Sequence, residues 1–346
     1  MSAASSHRLE GLEPDSLLAF LALLGLLRAL EAADDMVEAG RRLRPRAAWD
    51  VDAPPLRPRL FLACDLTGEE LAESAERGIE TLTLSYDFSG RKDLNHSRNE
   101  CRALLESAAR TAHLAARGRV DLLAALMSDA AIKDDKKEAI DPTPLCLLFG
   151  QGHQHFLDRL ASVPRAVGPP PRGRGRQAVA LSGSQCLAEA LFQPWHRSDP
   201  TFSFRWDPEE DVRYALMPGD PTDSAYQSGT QHGANRLAAI GLTVLTLAPQ
   251  VRGVRVRSSI IGGASSEDGV SFAWPVWREP ATLAAIRALL AHPRLTEPAG
   301  LAHLGVDHVL VSRRISVGKF MNFSRARPVA PRRPSGMDAI ASRSSP

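Results

Sequence analysis

The chain has 346 residues, 44% of them apolar and 24% charged, which fits one large or two moderate globular domains with a substantial core. Its net charge of +2 excludes a globally basic nucleic-acid binder. The longest apolar run, Leu17 to Leu27, is too short to span a bilayer, and the acids before it do not resemble the basic start of a signal peptide. A cytoplasmic protein with no membrane partner is expected.

Residues 1 to 8 read as disordered, and Leu9 to Leu12 as a short strand or turn. Asp15 or Ser16 then caps a helix to about Glu38, apolar on most faces and therefore buried, with Gly25 allowing a close approach. Trp49 and Leu60 to Ala63 suggest strands on either side of a Pro-rich turn. Thr67-Gly68-Glu69-Glu70 is a capping box at a helix start. Two more helices are expected, Ser97 to Arg117 and Val120 to Ala131, separated at Gly118. The charged stretch Asp129 to Lys137 pairs aspartates with lysines and reads as a solvated helix end rather than a metal site.

Phe149 to Asp158 contains His153, His155 and Asp158. Side chains two apart share no helix face, and no zinc-protease spacing is present, so a structural helix start is the main reading. A contact site or a metal site is the alternative. Pro164 to Arg176 is Pro-, Gly- and Arg-rich and reads as a linker or loop. It suggests a division into an N-terminal helix-rich domain (1–163), a linker (164–178), a C-terminal α+β domain (179–326) and a disordered tail (327–346), or one compact unit made of both parts. Ser182 or Ser184 caps a short helix to about Phe192, and the aromatic segments around Trp195 and Phe202 to Trp206 suit core edges or base stacking.

The stretch Phe204 to Leu245 passes from aromatic and acidic residues through a Pro/Gly/Asp/Ser loop into an apolar helix at Gln231. Its small and polar residues suit either a recognition site or a structured entry to a core helix. Arg252 to Ile261 reads as a half-exposed strand whose hairpin partner is Val270 to Trp277. A helix follows Pro280, and Asp307 to Val317 forms another strand running into Phe323. The whole reads as a mixed, helix-rich α+β fold with several antiparallel strands.

The four cysteines form no CxxC pair and sit among apolar neighbours, as buried thiols of a reducing compartment do. No phosphate loop, dinucleotide fingerprint or nucleophile elbow occurs, so neither a cofactor nor a common catalytic site is expected. Basic residues are locally concentrated. Arg165, Arg172, Arg174 and Arg176 lie between Asp158 and Glu189 with no acid among them, and seven basic residues lie between Asp307 and Asp338.

Several stretches together resemble one protein group. GLEPDSLLAFLALLGLLRAL (11–30), WDPEEDVRYAL (206–216), GTQHGANRLAAIGL (229–242) and RRISVGKFMNF (313–323) are similar to type I-G (formerly I-U) CRISPR-associated proteins, of the accessory/extension or the large-subunit-like family. The resemblance implies antiviral defence, with other effector proteins, a guide RNA and a target DNA as partners. It identifies no catalytic residue.

A non-catalytic subunit of such a system is the first expectation. Its contact residues would be Gln231, His232, Asn235 and Arg236 at the helix start, Arg172, Arg174 and Arg176 in the loop, and Arg313, Arg314, Lys319, Phe320 and Phe323 near the C-terminus. The second expectation is a metal-dependent nuclease or hydrolase using His153, His155 and Asp158, or His232 with acids from Asp207 to Asp211. A protein scaffold without nucleic-acid contact is the third.

Overall fold

A computed structural model of the chain describes residues 5–112, 117–134, 138–147, 155–169, 179–210, 229–266, 269–297, 299–317 and 320–329. The elements, in chain order, are β1 (Ser5–Arg8), α1 (Leu17–Asp34), β2 (Arg46–Trp49), β3 (Pro58–Leu62), α2 (Gly68–Thr83), α3 (Arg98–Arg110), α4 (Arg117–Leu126), β4 (Ile132–Asp134), β5 (Ala139–Ile140) and α5 (Phe156–Ser162). They continue with α6 (Gly183–Phe192), β6 (Asp199–Pro200), β7 (Gly229–Thr230), α7 (His232–Gly241), β8 (Gln250–Arg252), β9 (Arg255–Arg257), β10 (Gly263–Ser266), β11 (Gly269–Trp277), α8 (Leu283–Leu290), β12 (Val306–Val317), β13 (Phe320–Phe323) and β14 (Arg327–Pro328). The class is α+β, and every strand pairing is antiparallel.

The core is organised around α1. Ser16 starts it by accepting a hydrogen bond from Ala19 N–H, and nearly all of its side chains are buried. A helix apolar all round must be covered on every side. Helix α2 covers one flank, α7 another, and the long strands a third. Phe20 stacks on Trp274 of β11 with ring centroids 5.2 Å apart, and Trp274 Nε1 donates to Pro14 O. The crossing of α1 and α7 is backbone to backbone. A Cβ on Gly25 would lie 1.8 Å from Leu237 O, and one on Gly241 would lie 1.9 Å from Leu21 O. Each glycine removes the side chain where the other helix's carbonyl must sit.

Two sheets flank this core. A three-stranded sheet has the order β1-β3-β2, and a larger one runs β10-β11-β12-β13 with β14 also paired to β12. They are joined at Ala47 and Ala281, whose N–H and C=O groups exchange hydrogen bonds, while Trp277 Nε1 donates to Ala47 O. No helix among the described residues is long and apolar enough to cross a membrane. No disulfide joins the four cysteines, three of which are buried.

Several sequence expectations change. Ser5–Arg8 form a strand against β3 rather than a disordered end, because the edge of β3 offers four residues of pairing. Helix α4 begins before Gly118, so that glycine lies in its first turn and not between helices. Strand β11 pairs with β10 and β12, whereas Arg252 to Arg257 folds on itself as the hairpin β8–β9 around Gly253, at φ 55°. The left-handed turn at Gly253 ends the strand that the Val/Arg alternation suggested. Strand β14 carries regular structure to Pro328, and the rest of the expected tail from 330 onward lies outside the described residues.

Candidate functional site

The start of α7 gathers the polar residues singled out in the sequence, and it gathers them inside the protein. Gln231, His232, Asn235 and Arg236 are each 1% exposed. Helix α6 lies directly against this turn, since a Cβ on Gly233 would lie 2.1 Å from Cys186 O. The unpaired N–H groups at a helix start attract an anion. Here a resident carboxylate serves, because His232 N–H donates to Asp199 Oδ2 at 3.0 Å.

Most of the remaining polar atoms have internal partners. His232 Nε2 donates to Ala166 O at 2.8 Å and Nδ1 accepts from Thr201 Oγ1 at 3.1 Å, which fixes one neutral tautomer. Burial pushes its pKa down, opposed by the bond to Ala166 and reinforced by Arg236. Asn235 Nδ2 donates to Phe202 O, and Gln231 Oε1 accepts from His196 N–H. Arg236 forms a two-pronged bond to Glu76 at 2.6 and 2.7 Å and donates twice more to Pro164 O. A guanidinium buried this deeply needs both a counter-charge and several acceptors, and Glu76 of α2 with the α5–α6 connection supplies them.

This corrects the expectation of a contact surface. Gln231, His232, Asn235 and Arg236 lie together, but in the interior rather than on a surface, and the side chains of His232, Asn235 and Arg236 donate within the fold. Phe323 is fully buried, which removes it as a stacking platform. Arg313 is exposed on β12, Arg314 is half-buried, and Phe320 pairs by its backbone with Val317. Arg172, Arg174, Arg176 and Lys319 lie outside the described residues.

The expected histidine metal site also changes. His155 Nδ1 lies 2.9 Å from Asp93 Oδ1, Asp158 points outward, and His153 lies outside the described residues. A different set comes together on the solvent side of the α7 start. Glu189 of α6, His196 of the following loop and Asp199 of β6 bring their ligand atoms within 4.8 Å of one another. His196 Nε2 is 3.4 Å from Glu189 Oε2 and 3.8 Å from Asp199 Oδ2, while its Nδ1 lies 2.7 Å from Ser198 Oγ. One imidazole and two carboxylates suit a divalent cation with open positions. The sequence offered no signal for this set, because its spacing matches no metal motif and Glu189 is placed by the helix α6 rather than by the loop.

A second polar cluster links the chain ends. Arg325 bonds Glu209, Asp15 and Glu13, and Glu13 also receives Arg197, which reaches Asp207 at 3.0 Å. Burial raises the pKa of Asp207, with Arg197 opposing. Beneath it, Arg159 is pushed down to about 10 by burial and by the nearby Arg205, with Glu210 counteracting. Such compensated clusters hold loops in place, and within this one the Ser203 hydroxyl donates to the Glu210 carboxylate.

No family model, curated protein or solved structure matches the chain.

Proposed function

We propose that the protein is a non-catalytic subunit of a type I-G CRISPR interference system, contributing to effector assembly or nucleic-acid recognition in antiviral defence. One observation supports this reading. The stretches that carry the resemblance are far apart in the chain, yet they meet in a single unit. Leu18 N–H of the first donates to Trp206 O of the second, and Asn322 Nδ2 of the fourth donates to Asp207 O. The first and third cross at Gly25 and Gly241, and Ala326 N–H, just beyond the fourth, donates to Asp15 O. The stretches that carry the resemblance thus belong to one packed unit rather than to scattered surface positions.

Co-purification with neighbouring effector proteins, combined with salt-titrated binding to guide RNA and duplex DNA, tests this. Association or salt-dependent binding is expected. Loss of both overturns the reading.

The cluster of Glu189, His196 and Asp199 favours one second reading, a metal-dependent nuclease or hydrolase. Metal analysis of the purified protein and a nuclease assay with added Mn2+ or Zn2+ decide it; blank results in both remove it.

A further inference from the structure

Between the C-terminal end of α1, the start of β2 and the start of α8 lies a cleft of about 800 Å3. Arg28, Arg42, Arg44, Arg46, Arg117 and Arg287 line it. Three of these stand apart from the others. In Arg42-Leu43-Arg44-Pro45-Arg46 the arginines are exposed and the two residues between them are buried. Leu43 N–H and Arg44 N–H both donate to Asp34, at 2.6 and 2.8 Å, which ties the segment to the end of α1. The exposed guanidinium groups thus project from a backbone that is held rigidly. Among the described residues none of the three side chains has an ion-pair or hydrogen-bond acceptor.

Of the acids that line the cleft, Asp35 is exposed, while Asp34 and Asp121 are engaged. Asp34 serves those two backbone donors, and Asp121 is shared by Arg28 at 3.3 Å and Arg117 at 3.5 Å. Glu31 is half-buried, and desolvation raises its pKa. The exposed rim carries the three arginines against one exposed acid, Asp35, and is net cationic.

We propose that Arg42, Arg44 and Arg46 form a binding ridge for the phosphate backbone of a single-stranded nucleic acid. Deepening the nucleic-acid side of the proposed function, this inference rests on that reading. A row of outward cations on alternate residues suits a linear polyanion with regularly repeated charges. The use of arginine throughout favours phosphate over carboxylate chains, since each guanidinium offers a fork for phosphate oxygens and a flat face for a base.

The test compares the full chain with an R42A/R44A/R46A variant, using a labelled mixed-sequence single strand and fluorescence anisotropy over a salt series. Because the three side chains are exposed, an unchanged melting temperature is expected and checks folding. The variant is expected to bind at least ~10-fold more weakly at low salt, with the slope of log K against log salt smaller by about 2, the loss of three phosphate contacts on a single strand. An R42K/R44K/R46K variant keeps most of that slope. Equal affinity and slope in the alanine variant overturn the ridge while leaving nucleic-acid binding elsewhere intact. A wild-type chain that binds no nucleic acid but associates with effector proteins overturns the ridge and leaves the assembly reading standing. Binding of polyglutamate as tight as that of the oligonucleotide overturns the choice of phosphate.

Discussion

Arg236 and Arg44 place the same guanidinium in opposite surroundings. Arg236 sits in the first turns of α7, 1% exposed, with Glu76 and Pro164 O taking up its donors. Arg44 lies at the rim of an open cleft, with its backbone N–H engaged and its side chain exposed. The comparison shows that polarity at a helix start marks a recognition site only if the neighbouring elements leave it open. Around α7, close approach by α6 and α1 closes it. At the end of α1 the chain turns away instead, and the arginines of the next segment remain in water.

The contrast is broken most severely by replacing Arg236. Removing one member of a buried, hydrogen-bonded ion pair leaves the other uncompensated, at a cost of about 3–5 kcal/mol. Chemical denaturation of Arg236→Ala is expected to show a loss of this size. A cycle with Glu76→Gln sharpens the point, because the double variant should lose clearly less than the sum of the singles. An additive result would mean that the pair does not hold α7 to α2.

Next in size is the helix crossing. Gly25→Ala forces a methyl group into Leu237 O, and overpacking of this kind costs about 1–3 kcal/mol or more. Thermal unfolding checks it, with Gly40→Ala as the control because a Cβ there meets nothing within 4 Å.

A smaller effect follows from the buried histidines. His7, His96 and His232 all have pKa values lowered from 6.5, with burial as the main cause. The unfolded chain therefore takes up protons before the folded one does. Stability is full above 6.5 and declines as the pH falls below it. Urea melts at pH 8, 7 and 6 should give level midpoints at the first two and a lower one at the third. A midpoint unchanged at pH 6 would show that these rings are solvated.

The smallest effect is expected at the ridge. Single alanine substitutions at Arg42, Arg44 or Arg46 should change stability by less than about 0.5 kcal/mol, as exposed side chains without contacts do. A larger loss in a melting experiment would reveal an internal partner and close the comparison.

Much of the local architecture was legible in the residues. The capping box at Thr67, the caps expected at Asp15 or Ser16 and at Ser182 or Ser184, and the all-round apolarity of α1 each produced the expected element, with Ser16 and Ser182 as the caps. The α+β class followed from the mixture of helical and alternating patterns. The site was less legible. The sequence drew attention to Gln231 through Arg236 but not to their direction, and it gave no hint of Glu189, His196 and Asp199 as a group. Nor did it distinguish the strand at Val254 from the turn that forms there.

The division has a physical cause. A cap or an amphipathic pattern is set by atoms within a few residues of one another, so composition and spacing alone determined most helices and the long strands β11 and β12. Whether a polar side chain ends in water or in the core depends on which distant element covers it. Arg236 is buried because Glu76, 160 positions earlier, lies across from it, and Asp199 caps α7 from 33 positions away. Only the tertiary structure decided those contacts, and with them which arginines hold the fold and which face outward.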